Sequence, residues 1–241
     1  MSDDRPPYDH LADQYADVFS DFTVRKCEWR WLSSRIVGPA SSTLLDLGCG
    51  NGSFLSLISN RIAKGVGVDV SERMVEQARF RNAHLDNLAF ERLTEKKLPF
   101  PDSSFDFVTS VLSMRYMHWE AMFAEIARVL KSSGWFLMVD MVSFSNRIHH
   151  VPRVVFDHIG SQFRALLRPR FRQSLKTLVS LPQWKQMLDK HPPRLFEEYE
   201  RFLYDRFPNG RLSVLSRGWG TLVIGFESSL PNMKRRIDES K

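Results

Sequence analysis

The feature that most constrains this chain is a short apolar run that ends in closely spaced glycines. Residues 43–47 read Thr-Leu-Leu-Asp-Leu, and Gly48, Gly50 and Gly52 follow them. An apolar helical pattern starts at Ser53, so the glycines stand between a predicted strand and a predicted helix. Glycine permits a sharp turn and leaves space beside the backbone, and the first N–H groups of a helix have no partner within it. The stretch predicts a strand, a turn and a helix that hold a ligand where the strand ends.

The spacing of these glycines bears on which ligand is bound. A dinucleotide-binding turn has glycine at its first, third and sixth positions, but the sixth residue counted from Gly48 is Ser53. A second predicted strand, residues 66–70, carries Asp69, and an acidic residue about 20 residues beyond such a turn hydrogen-bonds a ribose. Asp69 could instead cap the helix that follows, although Ser71 is available for that role. The pattern therefore disfavours NAD and favours another ribose-bearing cofactor.

The residues from Asp46 to Gly52 read Asp-Leu-Gly-Cys-Gly-Asn-Gly. Together with Asp69, this pattern resembles the nucleotide-binding motif of class I S-adenosylmethionine-dependent methyltransferases. Later landmarks follow in that family's order: residues 98–106 contain Leu-Pro-Phe, a polar turn and Phe-Asp, and residues 128–134 read Arg-Val-Leu-Lys-Ser-Ser-Gly. The resemblance is to the small-molecule, methyltransferase type 11-like branch. It implies an α/β fold, a Rossmann-like seven-stranded sheet with helices on both faces.

The same resemblance implies cofactor-binding roles for residues of this sequence. Tyr15 would lie on an N-terminal helix that closes over the cofactor, and Met74 would lie beside the adenine, with core packing as the alternative for Met74. Thr94 and Glu95 stand where the family has Asp-Ala at the adenine edge, so Thr94 lacks the charge assistance of a carboxylate. The predicted residues for S-adenosyl-L-methionine are Tyr15, Asp46, Gly48, Gly50, Gly52, Asp69, Val70, Met74, Thr94, Glu95 and Ser110.

The length and composition predict one domain rather than two. The chain has 241 residues and 43% hydrophobic content, which suits a single sizeable core. We expect an N-terminal helical cap at residues 8–40, a cofactor-binding core at 41–145, a helical lid at 146–208 inserted after the fifth strand, and a terminal hairpin at 209–228. In the lid, apolar spacing predicts a helix that stops before Pro169, a helix capped by Ser180, and a third that carries Tyr199 and Leu203. Because loops beyond strand ends host ligands, the lid is expected to supply the substrate pocket.

Charge and cysteine content bear on partners and location. The net charge is +6, and residues 147–176 hold seven basic residues against one acidic residue. That segment is a solvated helix face, an attractor for anionic small substrates, or a surface for nucleic acid or anionic membrane. Nucleic acid is disfavoured because Arg153, Arg164 and Arg168 are spread along a predicted helix and do not make the continuous basic stripe with interleaved aromatic residues that single-strand binding favours. With two cysteines, no metal cluster or disulfide framework is expected. Without an apolar leader or a run of about 20 apolar residues, the chain is predicted to be soluble and cytoplasmic.

The implied reaction is transfer of a methyl group to a small-molecule acceptor by in-line displacement. Residues 110–113 read Ser-Val-Leu-Ser where the family's nucleic-acid and glutamine enzymes have Asn/Asp-Pro-Pro-Tyr, which argues against base methylation. Residues near the end of the fourth strand could wall the pocket: Arg115, Tyr116 and Trp119. A protonated acceptor needs a base, and four histidines are candidates of which none is favoured: His118, His149, His150 and His158. An RNA or protein methyltransferase and a non-catalytic S-adenosylmethionine-binding protein stay as alternatives. The acceptor and the oligomeric state are not predicted.

Overall fold

A mixed sheet of seven strands lies at the centre of the molecule. The computed structural model describes residues 9, 11–94, 97–144, 169–218 and 220–229. The strands are β1 (Thr43–Leu47), β2 (Lys64–Asp69), β3 (Leu88–Arg92), β4 (Phe105–Val111), β5 (Leu130–Ser143), β6 (Arg211–Gly218) and β7 (Thr221–Ser229). Their order is β3-β2-β1-β4-β5-β7-β6; β7 pairs antiparallel with both β5 and β6, and the other pairs are parallel. The predicted Rossmann-like sheet is confirmed.

Helices precede, connect and follow these strands. They are α1 (Ala12–Phe19), α2 (Lys26–Ser33), α3 (Ser53–Ile58), α4 (Glu72–Arg81), α5 (Trp119–Val129), α6 (Pro169–Ser180), α7 (Pro182–Lys190) and α8 (Phe196–Arg206). Short 3₁₀ turns occupy Phe22–Val24, Ser59–Arg61 and Met114–Tyr116. Within the described residues, none of the helices combines the length and the apolar character needed to cross a membrane.

The alternation of side chains along the strands divides the core into two layers. On one face of the sheet, Leu45 and Leu47 of β1 pack in a cluster with residues of α5 and α8. On the other face, Leu44 packs in a cluster with residues of α2, α3 and α4. The parallel strands are therefore covered on both faces, as buried parallel strands require.

A third apolar cluster joins the N-terminal helix to the helices that follow β5. Leu11 and Val18 are buried together with Leu178 of α6 and Met187 of α7. Tyr15 of α1 packs against the same cluster. These helices bury apolar stripes against each other, and through this packing α1 and α7 come together.

The structure corrects two predictions about residues 146–208. Ser180 caps no helix: it is the last residue of α6, its hydroxyl donates to the carbonyl oxygen of Thr177, and α7 begins at Pro182. The third predicted helix, α8, does not cover the cofactor site, because Tyr199 and Leu203 are buried in the cluster that includes α5. Helix α6 is an element that the sequence patterns do not predict. The helix predicted before Pro169 lies outside the described residues.

Candidate functional site

A cavity of about 200 Å³ lies where β1, β2 and β4 end, the edge at which open α/β sheets bind ligands. Its walls come from the glycine turn, the ends of β2 and β4, and helices α1, α4 and α7. The lining residues are Tyr15, Gly48, Gly50, Val68, Asp69, Val70, Met74, Leu93, Val111, Leu112, Ser113, Tyr116, Met117, Met187 and His191. Six of the predicted cofactor residues therefore line one cavity: Tyr15, Gly48, Gly50, Asp69, Val70 and Met74.

The glycines of the turn have different neighbours. Both Gly50 and Gly52 have positive φ, 53° and 74°, a region that favours glycine. Among the described residues, a Cβ added to Gly50 would have one neighbour within 4 Å, the ring of Tyr15 at 3.8 Å, and Gly50 itself lines the cavity. A Cβ added to Gly52 would lie 2.8 Å from Asn82 and from the ring of Phe90. Space for a ligand therefore explains Gly50, whereas helix-to-sheet packing explains Gly52, which does not line the cavity.

Asp69 is held at the cavity by the backbone around it. Its Oδ2 accepts a hydrogen bond from the N–H of Gly50 at 2.9 Å, and its Oδ1 accepts one from the N–H of Ser71 at 3.0 Å. Burial raises the pKa of Asp69, and these backbone N–H groups act against that rise. A carboxylate accepts about four hydrogen bonds, so Asp69 keeps capacity for two hydroxyl donors. This capacity fits the two hydroxyls of a ribose.

Ser71 fixes the start of α4, as the sequence predicts. Its hydroxyl oxygen accepts a hydrogen bond from the N–H of Met74 at 3.2 Å, and the hydroxyl donates to Asp9. Ser71 therefore caps α4 and leaves the carboxylate of Asp69 at the cavity. Met74 is buried in α4 and also lines the cavity, so the two interpretations of this residue are compatible.

Asp46 and Cys49 lie beneath the turn rather than on the cavity wall. Asp46 is only 2% exposed, and its Oδ1 accepts a hydrogen bond from the hydroxyl of Thr109 at 2.7 Å. Burial raises the pKa of Asp46 to about 7, with a smaller rise from the charge of Asp69. Burial also raises the pKa of the Cys49 thiol. Because thiolate is the reactive form of cysteine, Cys49 is not a nucleophile here.

The N-terminal helix is tied to the glycine turn by polar and aromatic contacts. The side-chain amide of Asn51 donates to the carbonyl oxygen of Phe19 at 3.3 Å, and its Oδ1 accepts from the N–H of Ser53. Tyr15 packs against Phe19 with ring centroids 4.7 Å apart and ring planes tilted by 46°, and Tyr15 lines the cavity beside Gly50. Helix α1 therefore closes one side of the cavity with Tyr15.

The end of β4 presents a strained residue to the cavity. Leu112 has φ of 57°, an uncommon conformation for a branched side chain, and its N–H donates to Val139 at 2.7 Å. The next residue, Ser113, donates from its hydroxyl to the carbonyl oxygen of Leu47. Ser110 lies one layer behind it, fully buried and hydrogen-bonded to the Ser113 hydroxyl at 2.7 Å. Ser110 therefore supports the wall through Ser113 rather than lining it.

A further wall of the cavity comes from α7, the residue after it, and the 3₁₀ turn Met114–Tyr116. Met187 lies in α7 and His191 directly follows that helix, and both line the cavity. The rings of Tyr116 and His191 meet edge to face with centroids 5.2 Å apart. Tyr116 was expected as a wall from the sequence, but His191 was not among the candidate bases. The four-residue spacing from Met187 is the only sequence signal for it.

Several other predicted residues lie away from the cavity or outside the described residues. Thr94 is exposed and does not line the cavity, and Glu95 lies outside the described residues. Trp119 is buried, and its ring N–H donates to the carbonyl oxygen of Met114 at 2.9 Å. Arg115 donates to the Tyr116 hydroxyl at 2.7 Å and is not on the cavity wall. Of the candidate bases, only His118 is described, and it is exposed; the others, His149, His150 and His158, are not described.

A buried acid of β5 lies outside the cavity wall. Asp140 of β5 is fully buried and accepts a hydrogen bond from the Tyr199 hydroxyl at 2.5 Å and from the N–H of Met141. Burial raises the pKa of Asp140, and the Tyr199 hydroxyl and the charge of Arg115 act against that rise. The Asp140–Tyr199 pair joins β5 to α8 and does not reach the cavity.

A larger hollow of about 380 Å³ lies between the turn after α1 and helices α3 and α4. Its walls are mostly serine and asparagine side chains, and Arg81 donates across it to the carbonyl oxygen of Ser20. Its described lining includes none of the turn glycines and neither Asp46 nor Asp69. We therefore place the candidate site at the smaller cavity, where the sequence motif and the strand ends meet. In the described part of the chain, no cluster of His, Cys, Asp or Glu side chains could hold a metal ion.

Comparisons with known proteins identify relatives of this chain. The family described as Methyltransferase domain matches residues 45–138. YcgJ of Bacillus subtilis (strain 168), an uncharacterized methyltransferase, is 32% identical over 193 residues, covering 75% of this chain and 68% of that protein. Demethylmenaquinone methyltransferase of Tropheryma whipplei (strain Twist) is 34% identical over 113 residues, covering 46% of this chain and 47% of that protein. The chain thus spans about half the length of the latter relative.

The likeness to YcgJ extends to the fold. The crystal structure of YcgJ matches with a TM-score of 0.53 at 19% sequence identity, covering 84% of this chain and 98% of that chain. The family match at residues 45–138 contains the glycine turn and Asp69, but it ends before α6 and α7. The wall that Met187 and His191 contribute therefore lies outside the part of the chain that the family match covers.

Proposed function

This chain belongs to the class I S-adenosylmethionine-dependent methyltransferase family, and from that membership we propose that it transfers a methyl group from S-adenosylmethionine to a small organic acceptor. The proposal is based on a single cavity in which one set of residues suits a nucleoside and another set suits a second molecule. Gly50 and Asp69 offer space and hydrogen-bond acceptors for a nucleoside. Met187 and Tyr116, on α7 and the 3₁₀ turn, offer a surface for a second molecule.

The cavity residues of the glycine turn, β2 and α4 fit S-adenosylmethionine. Asp69 would accept hydrogen bonds from the ribose hydroxyls, because each of its oxygens has one backbone partner and capacity for another. Val70 and Met74 would flank the adenine, where the polarizable sulfur of methionine packs well on a ring. Gly50 would leave the backbone open to close approach. When bound, the cofactor supplies an electrophilic methyl group on a positively charged sulfur.

The rest of the cavity would align the acceptor and exclude water. Alignment converts a reaction between two molecules into one within a complex, which lowers the barrier by several kcal/mol, about 7–11 for ideal geometry. Leu112, Met117 and Met187 are apolar and lie on the wall of the same cavity. We therefore propose that the acceptor is largely apolar next to the atom that receives the methyl group. The Tropheryma whipplei relative, a demethylmenaquinone methyltransferase, is consistent with a small-molecule acceptor.

The anionic acceptor that the basic segment suggests stays a prediction. Most of residues 147–176 lie outside the described residues, and the side chains of Arg170 and Lys176 are exposed. Among the described residues that line the cavity there is neither lysine nor arginine. A cytoplasmic location also stays a prediction, which the free thiols of Cys27 and Cys49 support.

The test has a binding arm and a transfer arm. Isothermal titration with S-adenosylhomocysteine is expected to give a saturable heat. Transfer is then followed with methyl-labelled S-adenosylmethionine offered to a small-metabolite extract, bulk RNA and bulk protein, and label is expected in the small-metabolite fraction. Label in RNA or protein instead would support the corresponding alternative substrate. Binding without transfer to any fraction would support a non-catalytic S-adenosylmethionine-binding protein.

A further inference from the structure

His191 is a titratable side chain on the acceptor side of the cavity. It follows directly on α7, which ends at Lys190, and its backbone N–H donates to the carbonyl oxygen of Met187 at 3.0 Å. Its ring stands edge to face on Tyr116, with the ring planes at 71°. Within the described ranges, no hydrogen bond engages the imidazole, so its nitrogens are available to a molecule in the cavity. His191 is therefore fixed in position by packing while its polar atoms keep their capacity.

The charges around His191 favour its neutral form. Burial lowers the pKa of His191 below its ordinary value of 6.5, and the positive charges of Lys190 and Arg115 lower it further. Among the described residues, the charged and titratable groups that face it from other elements are Arg115 and the Tyr116 phenol on the 3₁₀ turn and, on the same cavity, Tyr15 of α1 and Asp69 of β2. A neutral imidazole can accept a proton. At neutral pH, His191 is thus in the state that a general base needs.

We infer that His191 is the general base of the proposed methyl transfer and that the acceptor atom is a hydroxyl oxygen, phenolic or enolic, on an apolar molecule. The inference rests on the proposed function. It follows from the juxtaposition of one histidine with apolar walls, since Leu112, Met117 and Met187 suit an apolar ring system and His191 lies among them. A carboxylate acceptor is already ionised at neutral pH and would need no base.

The step balances without any further reactant. The acceptor oxygen forms a bond to the methyl carbon, and the carbon–sulfur bond breaks with its electron pair staying on sulfur. The hydroxyl proton passes to a nitrogen of His191, which becomes an imidazolium. The positive charge therefore moves from sulfur to His191, and the imidazolium loses its proton to solvent once the products leave.

The test compares wild type with His191→Phe and His191→Asn, using three probes: 2-naphthol, 4-nitrophenol and 1-octanethiol. Phenylalanine keeps the ring contact with Tyr116 but has no nitrogen, whereas asparagine keeps polarity without basicity. With 2-naphthol, which is protonated at neutral pH, both variants are expected to lose about 100-fold or more in kcat, the range of general-base catalysis. With 4-nitrophenol, which is largely ionised above neutral pH, the loss is expected to be several-fold at most.

The pH dependence and two controls separate catalysis from structure. In wild type, kcat with 2-naphthol should rise with pH and level off once His191 is neutral. This rise of kcat should be absent in both variants. The control His118→Asn alters an exposed histidine that does not line the cavity and should change neither rate. S-adenosylhomocysteine affinity should be within about twofold of wild type in every variant, which shows that the glycine side is intact.

The outcomes distinguish this inference from the proposed function. Equal loss with 2-naphthol and 4-nitrophenol, or retention of activity in His191→Phe, would overturn the role of His191 as base. Transfer to 1-octanethiol alone would overturn the hydroxyl acceptor while leaving methyl transfer in place. No transfer by wild type to any probe or to the small-metabolite extract would overturn the proposed function, and this inference with it.

Discussion

The two sides of the cavity are built in different ways. The cofactor side comes from one stretch of chain, residues 48–74, in which Gly50 and Asp69 are joined by a direct hydrogen bond. The acceptor side brings together Leu112 at the end of β4 and His191 after α7, which lie far apart in sequence. A site made by one continuous segment leaves a spacing pattern in the sequence. A site made by the packing of distant segments leaves no such pattern, because each segment shows only its own composition.

The same contrast predicts that the two sides can be altered separately. They meet through Tyr15, which lines the cavity beside Gly50 and also packs in the cluster that contains Met187. No other described residue belongs to both the N-terminal helix and the cavity wall. Changes on the cofactor side should therefore act on nucleoside binding, and changes on the acceptor side on transfer.

The largest effect is expected for Asp69→Asn. The substitution removes the charge that would accept the ribose hydroxyls, and hydrogen bonds to charged groups contribute about 1.5–3 kcal/mol each. We expect the affinity for S-adenosylhomocysteine to fall by about 100-fold or more, as measured by isothermal titration. The control is Asp86→Asn, an exposed carboxylate near β3, which should bind like wild type. Unchanged affinity in Asp69→Asn would show that the nucleoside does not lie against β2.

The next effect separates two glycines of the same turn. Gly52→Ala adds a methyl group that meets Phe90 and Asn82 at positive φ, so the free energy of unfolding should fall by about 2–3 kcal/mol. Gly50→Ala has the φ penalty without that clash and should cost about 1 kcal/mol, while its methyl group projects into the cavity. Urea unfolding and titration of S-adenosylhomocysteine measure both quantities.

The test depends on comparing the losses of ligand affinity and stability between the two variants, rather than on the size of either loss. Gly50→Ala should weaken ligand binding more than it weakens the fold, and Gly52→Ala should do the reverse. If both variants lost ligand affinity equally after correction for the folded fraction, Gly52 would be part of the binding surface. The assignment of Gly52 to packing against β3 and α4 would then be wrong.

Asp46→Asn tests whether a motif residue can act on stability alone. The pKa of Asp46 is about 7 in the folded protein against an ordinary 3.8, so the folded state keeps a proton that the unfolded state loses. Between those values the free energy of unfolding should therefore fall as pH rises, and it should level off above pH 7. Asparagine keeps the oxygen that accepts from Thr109 and removes this dependence. Relative to the variant, wild type should lose about 2 kcal/mol between pH 5 and pH 8.

Urea unfolding at several pH values, with Asp86→Asn as the control for a surface carboxylate, measures this difference. Since Asp46 does not line the cavity, the affinity for S-adenosylhomocysteine should change little. Parallel pH profiles in wild type and Asp46→Asn would mean that Asp46 is ionised in the folded protein. Asp46 would then carry a negative charge beneath the turn, and its role in binding would have to be reconsidered.

The sequence predicts the sheet well because strands here are apolar runs between turn residues. β1 has the predicted bounds, whereas β2 begins at Lys64 rather than at residue 66. Lys64 pairs through its backbone with Thr43, and backbone pairing leaves no side-chain signal. Strand ends are therefore less predictable than strand centres.

The sequence predicts where the candidate site lies, but not which of the neighbouring side chains line it. The motif identifies the neighbourhood of Asp46 and Ser110, but these residues lie behind the wall that Ser113 and Gly48 form. His191 could not be selected from the sequence, because it follows the end of α7 and helical periodicity does not say what that end meets. Packing of α6 and α7 on α1 decides that question. Such packing depends on residues far apart in the chain.

The smallest effect is expected for Met187→Leu, which tests the acceptor side with little change in volume. Swaps of this kind usually cost less than about 1.5 kcal/mol, so the protein should stay folded. Leucine is branched where methionine is linear, and this difference reshapes the wall beside His191 without touching Gly50 or Asp69. We expect the KM for 2-naphthol to change by about threefold, since reshaped packing of this size alters binding by less than about 1 kcal/mol. The affinity for S-adenosylhomocysteine should stay as in wild type.

The matched control is Met122→Leu, which changes a buried methionine of α5 in the core cluster on one face of the sheet. In this control, the KM should not change. If Met187→Leu altered nucleoside affinity and left KM unchanged, α7 would belong to the cofactor side, and the acceptor would have to enter beside another wall.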